Sequence, residues 1–319
     1  MTLLDQVKHI ARVPSVNRWR YWWVSKEEIV LLKPATRNSK RFTLHRLNVT
    51  TGRQRAFDRF NLTADIPGVR WHLSTYGIPG YKVAYWTPRC TLSSDGEWFL
   101  WLRNKATWVA ASLDGTTRRE WEEEHSIPSD CCWLQDSERW VQLVTHYQRQ
   151  RYTLVKAIVR SVVRQSRART TVIKVPDGLL LGVTHHNSIL LYNSDYAKPA
   201  SKVMFREFSL SPKRPTRRYS IRLPESGTLS GAALSKAGDR LAWIMSVGDQ
   251  TFPREYLFWV SDLDGKNIVE LGRTSSITAG PLSRSTKQKG FYPGSVRWLP
   301  DGSEVSFVND THLYRVAIS

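Results

Sequence analysis

Few side chains in this chain have the type and spacing to do chemistry. His185 and His186 are adjacent, and a histidine pair can hold a metal ion or relay a proton. Neighbouring residues of an extended chain project to opposite sides, which makes this a poor ligand pair. Glu122-Glu123-Glu124 offers carboxylates, but three in a row read as a solvated strand end rather than a spaced acid and base. The three cysteines, Cys90, Cys131 and Cys132, include a vicinal pair and lack zinc-type spacing, so small buried hydrophobes are expected. The chain contains no G-x-S-x-G elbow, no H-E-x-x-H and no phosphate-cradling glycine loop. No catalytic residue, metal or cofactor is therefore expected, and a hydrolase or lyase ranks third among the functional readings.

Binding is the better-supplied chemistry. The formal net charge is +19, a field that favours anionic partners. Residues 139–174 carry Lys and Arg without Asp or Glu, with Tyr147 and Tyr152 among them. A second cluster comprises Lys213, Arg214, Arg217, Arg218 and Arg222, and a third Arg284, Lys287 and Lys289 before Phe291-Tyr292. Interleaved cations and rings can hold phosphates and stack on bases. Charged outer strands also serve simply to keep sheet edges from pairing, and no nucleic-acid-binding motif is present, so polyanion or nucleic-acid binding ranks second. The stretch from Asn61 to Arg89 is too long for a plain connection and too aromatic to stay unstructured. It is read either as a channel-mouth loop or as a strand extension packed on its neighbours. On the first reading, Trp71, Tyr76, Tyr81 and Trp86, with Arg284, Lys287 and Tyr292 from the second long connection, are the candidate partner-binding residues.

The elements that would position these residues repeat along the chain. Short apolar runs begin at Ile29, Trp98, Trp140, Ile189, Leu241 and Val305, between 42 and 69 residues apart. Each follows a tight polar turn: Ser25-Lys26-Glu27, Ser94-Asp95-Gly96, Gln135-Asp136-Ser137, His186-Asn187, Ala237-Gly238-Asp239 and Asp301-Gly302. A further apolar strand and then a more polar one follow, the polar strand of the fourth unit being Arg217 to Leu223, with hairpin turns at Thr51-Gly52, Asp114-Gly115 and Asp264-Gly265. Such antiparallel units cannot hide an apolar face alone, and stacking them solves that.

Leu92-Ser93-Ser94-Asp95-Gly96 with Leu113-Asp114-Gly115, and Trp298-Leu299-Pro300-Asp301-Gly302 with Leu313-Tyr314, resemble the WD40-like repeats of TolB-type β-propellers; Leu234-Ser235 with Asp262-Leu263-Asp264-Gly265 does so nearly as well. The units at Trp140 and Ile189 keep the strand pattern without the Asp-Gly turn. Residues 93–98 also resemble the Asp-box of sialidases, one residue short and present once; in that family the box is structural. The resemblance covers most of 19–319 and implies an all-β, six-bladed β-propeller of four-stranded antiparallel blades in a single domain, 1–319. It implies nothing about the ligand, because the fold hosts binding modules, gates and enzymes.

The sixth unit has only three strands: residues 295–299, 304–308 and 312–318. The run Val7 to Val13 is expected to supply the fourth from within an N-terminal closing segment, 1–18. An amphipathic helix using Leu3, Leu4, Val7, Ile10 and Ala11 fits the same residues. Asp5, Lys8 and Arg12 interrupt any long apolar run, so no leader or span is expected, and a cytoplasmic monomer is. The leading reading is a non-catalytic scaffold that takes a protein or peptide partner on its loops and channel mouth.

Overall fold

The computed structural model describes residues 8–12, 20–34, 41–63, 90–103, 107–122, 127–148, 151–163, 169–176, 179–192, 200–210, 216–247, 255–275, 296–309 and 312–318. Among them every regular element is a strand, and none is a helix long and apolar enough to cross a membrane. After β1 (Lys8–Arg12), blade 1 is formed by β2 (Arg20–Trp23), β3 (Glu28–Pro34), β4 (Arg41–Asn48) and β5 (Gln54–Thr63). Blade 2 is β6 (Cys90–Leu92), β7 (Trp98–Leu102), β8 (Thr107–Ser112) and β9 (Arg118–Glu122). Blade 3 is β10 (Ile127–Trp133), β11 (Arg139–Gln148), β12 (Arg151–Ser161) and β13 (Arg169–Pro176).

Blades 4 and 5 share a strand. β14 (Leu179–Val183), β15 (Ser188–Tyr192) and β16 (Ala200–Ser209) pair in order with the first part of β17 (Arg217–Leu234). The last part of β17 pairs with β18 (Arg240–Val247), followed by β19 (Glu255–Asp262) and β20 (Val269–Ser275). The sequence reading ends the fourth strand of this unit near Leu223; instead it runs on. Pro224 is tolerated because neither ladder pairs residues 223–226, where β17 passes from β16 to β18, and Gly227 pairs on both sides, with Ala200 and Val247.

Blade 6 consists of β21 (Arg297–Trp298), β22 (Glu304–Asn309) and β23 (His312–Ala317), and β1 completes it. Lys8 to Arg12 runs antiparallel to His312–Arg315, so the N-terminal run is the strand rather than the helix. Joining the two ends of a circular sheet stack in one blade removes the free edge a bare β23 would present.

The order of packing makes the ring. β10 touches both β6 and β14, β14 touches β17, β17 touches β21, and β21 touches β2. The middle strands read as largely apolar runs, with Gln142 and Ser306 as buried polar exceptions, because both their faces are buried. Ile29 and Leu31 face blade 6 while Val30 and Leu32 face blade 2. Leu241, Trp243 and Met245 face blade 4 while Ala242 and Ile244 face blade 6. The buried apolar side chains fall into clusters at every junction around the ring: 1/2, 2/3, 3/4, 4/5, 5/6 and 6/1.

Candidate functional site

One face of the ring is made of the turns between first and second strands. In five of them the backbone N–H of the fourth residue donates to the carbonyl of the first: Gly96 to Ser93, Ser137 to Leu134, Asn187 to Thr184, Gly238 to Ser235 and Gly302 to Leu299, at 2.9–3.1 Å. That fourth residue has a positive φ each time, 78°, 57°, 55°, 76° and 72°. Ser137 and Asn187 therefore adopt the left-handed conformation that glycine provides elsewhere, and the two units without Asp-Gly form the same turn.

Neighbouring turns hold one another. Ser94 and Ser137 hydroxyls lie 2.6 Å apart, and the Asp95 N–H donates to Ser137 Oγ at 3.2 Å. Gln135 Nε2 donates to the Val183 carbonyl at 2.9 Å, and the His185 N–H to the Gly238 carbonyl at 3.1 Å. Lys26 and Asp301 form an ion pair at 2.7 Å across the 6/1 junction; this bond holds the Asp301 carboxyl down at about 2.

The groups singled out as chemically able are engaged in this fabric. The rings of His185 and His186 do not diverge as alternation suggests: the bend of the turn brings their centroids to 3.7 Å. Arg217 Nη1 donates to His186 Nε2 at 2.7 Å, and His185 Nδ1 lies 3.1 Å from the Gly238 carbonyl. Between them and the core sits Glu207, 2% exposed, accepting from Thr184 Oγ1 and from the Tyr219 hydroxyl, both at 2.5 Å. Burial, and then the bond to Glu207, push the Tyr219 phenol up. This is a brace with both carboxylate oxygens committed. Sequence reasoning missed Glu207, although the alternation Val203, Phe205, Glu207 places a carboxylate where the strand otherwise buries apolar groups.

Ser93 Oγ bonds Asp95 and accepts from the Trp98 N–H, so the Asp-box-like stretch is a turn lock. Cys90 and Cys131 are buried thiols and Cys132 is half-buried; none is in a disulfide. Glu122 is exposed at the end of β9, and Glu123 and Glu124 lie outside the described residues. Among the described residues no three His, Cys, Asp or Glu side chains converge on a possible metal position.

The other face follows from the same connectivity. Where first strands end in the tight turns, first strands begin and fourth strands end on the opposite side. Residues 64–89 join β5 to β6, and 276–295 join β20 to β21. The strand ends they leave from all belong to that opposite face and flank the 6/1 junction. Asn61–Thr63, read as part of the long connection, continue β5. Trp71, Tyr76, Tyr81, Trp86, Arg284, Lys287 and Tyr292 lie outside the described residues.

No protein-family model matches the chain, and no curated protein matches it in sequence. Solved structures do resemble it. TolB from Acinetobacter baumannii is 11% identical with a TM-score of 0.49, the match covering 92% of this chain and 63% of TolB. The C-terminal WD40 domain of Sif2 is 10% identical, TM-score 0.45, covering 98% of both chains. An oligogalacturonate lyase from Vibrio parahaemolyticus is 9% identical, TM-score 0.46, covering 97% of this chain and 99% of that one. The chain spans less than two thirds of the TolB chain. At these identities the likeness concerns the fold, a TolB-like and WD40-like propeller, and not the ligand.

Proposed function

We propose that this chain is a non-catalytic propeller scaffold that docks a protein or peptide partner on the face opposite the interlocked turns, at the mouth of the ring. The observation that carries this reading is the inequality of the two faces. On the turn face, short turns spend their polar groups on one another, with His185, His186, Glu207 and Arg217 all bonded internally. The strand ends that border the two longest connections lie on the opposite face, and in sequence those connections carry the aromatic and cationic side chains suited to anchoring an interface. Trp71, Tyr76, Tyr81 and Trp86 act as anchors in one connection, Arg284, Lys287 and Tyr292 in the other.

The test is affinity capture from the native cell with mass spectrometry, comparing the full chain with a Trp71→Ala/Tyr76→Ala/Tyr81→Ala/Trp86→Ala variant. The expected result is loss of specific partners with an unchanged melting curve. Retention of every partner by a folded variant overturns the assignment of those four residues.

A further inference from the structure

Strand register assembles a cationic strip from residues that are far apart in sequence. Lys202 of β16 stands directly opposite Arg222 of β17, and Arg206 opposite Arg218, with Met204 and Ser220 between the pairs. Directly opposite residues project to the same side of a sheet. Their alternate neighbours Val203, Phe205, Ile221 and Leu223 fill the 4/5 core, so the cations occupy the side facing blade 3, the side on which Leu191 stands opposite Arg206. Arg217 falls on the other side, opposite Glu207, so the basic run in the sequence is split by the pleat. Lys202, Arg218 and Arg222 are exposed. Arg206 is half-buried, and its Nε is shut off from solvent and bonded to nothing.

This arrangement works against folding unless something compensates it. Like charges directly opposite destabilise a sheet, and a buried guanidinium N–H without an acceptor adds to that. Protecting a sheet edge requires charge, but neither a single sign nor face-to-face pairing. Blades 2 and 5 neutralise theirs, and in blade 1 Arg46, which stands opposite Arg55, has Glu28 at 3.9 Å. In blade 2, Glu120 takes both Arg103 and Arg118 at 2.9 and 2.7 Å. In blade 5, Arg273 sits among Glu225, Glu255 and Glu270. Among the described residues, none of the four cations of the strip is within ion-pair distance of a carboxylate.

We infer that this strip is a second binding surface, distinct from the scaffold face, and that its occupant is the phosphodiester backbone of duplex nucleic acid. Three of the four cations are arginines, whose planar forks match phosphate oxygens. The two pairs lie roughly 13 Å apart along the strands, with about 5 Å between partners, which is an elongated footprint. A protein partner would need a desolvated apolar anchor, and the strip offers only Met204, 39% exposed. No aromatic side chain stands between the cations to stack unpaired bases, so the contact is to backbone and independent of sequence.

The test is fluorescence anisotropy of a labelled random-sequence DNA duplex titrated with the full chain between about 50 and 200 mM salt. Four phosphate contacts give a slope of log affinity against log salt of roughly −3 to −4. Arg218→Gln/Arg222→Gln is expected to make it about two units shallower, and Lys202→Gln alone about one. Arg53→Gln/Arg55→Gln, which removes the same charge from exposed positions on blade 1, is expected to leave the slope unchanged. The absence of salt-dependent binding by the parent chain overturns the proposal, and so does an equal loss in the blade 1 variant. Tighter binding to poly-glutamate or to anionic vesicles than to the duplex overturns the choice of occupant.

Discussion

At the junction of blades 4 and 5 the chain passes straight through, whereas at the junction of blades 6 and 1 two distant segments must find each other. The chemistry differs accordingly. On the 4/5 side, β17 fixes the alignment covalently, and beneath the His185–Gly238 bonds between the turns the core of the contact is apolar. The Trp243 and Trp259 rings stack at 5.7 Å and 17°, and Trp259 Nε1 is buried without a partner. On the 6/1 side the contact is directional. Ser306, fully buried, lies 3.0 Å from the Tyr21 hydroxyl and accepts from Trp23 Nε1 at 2.7 Å. Arg315 donates to the Lys26 carbonyl at 2.9 Å and lies over the Trp23 ring at 5.5 Å. Where the backbone sets the register the junction core is apolar; where it does not, buried hydrogen bonds through Ser306 help to set it.

Five measurements, one with its own control, break or sharpen that contrast. The largest effect is expected from Trp243→Ala, about 3–5 kcal/mol of stability lost in urea unfolding, because the side chain is 1% exposed and central to the 4/5 core. Next is Gly238→Ala, expected to cost about 2–4 kcal/mol. Its φ is +76°, and a Cβ there would lie 2.4 Å from the backbone nitrogen of His185. Gly302→Ala in the equivalent turn of blade 6, with φ +72° and open space, is the control at about 1–2 kcal/mol. Equal costs would show that turn conformation alone, and not the 4/5 contact, decides.

Ser306→Ala is expected to cost about 1–3 kcal/mol by removing the acceptor of the buried Trp23 N–H and the hydroxyl beside Tyr21. The same junction has a pH signature. Burial pushes the Tyr21 phenol up to about 12. The folded state holds that proton more tightly than the unfolded chain does, so its contribution is complete below pH about 10 and is lost as pH rises toward 12. Tyr21→Phe should flatten base-induced unfolding in that window. The smallest effect is assigned to Lys26→Ala, a slight loss of stability that vanishes in high salt, because the pair with Asp301 is solvent-exposed.

Much of the fold was legible because a propeller's middle strands are buried on both sides. Ile29, Trp98, Ile189 and Leu241 each begin a run with no polar alternation to obscure it, Trp140 and Val305 begin runs broken only by Gln142 and Ser306, and five of the six turns before them need a left-handed residue. The reading weakened where Ser137 and Asn187 took that conformation in place of glycine. It failed at Pro224 to Gly227, where a turn-like composition is carried inside one long strand. Of the sites, composition pointed to the two long connections. It could not show the blade 4 strip, because Lys202 and Arg206 meet Arg222 and Arg218 only through register. Glu207 was hidden for the same reason, its donors Thr184 and Tyr219 coming from two other parts of the blade.

The pairing of β1 with β23 also has a consequence in time. At a synthesis rate of about 5–20 residues per second, on the order of 15–60 s separate the emergence of Lys8–Arg12 from that of its partner strand. During that interval the earliest strand waits unmatched while successive blades stack behind it. A message cut short before His312 yields an open arc with an exposed rim, which gives quality-control proteases a direct way to tell an unfinished copy from a finished one.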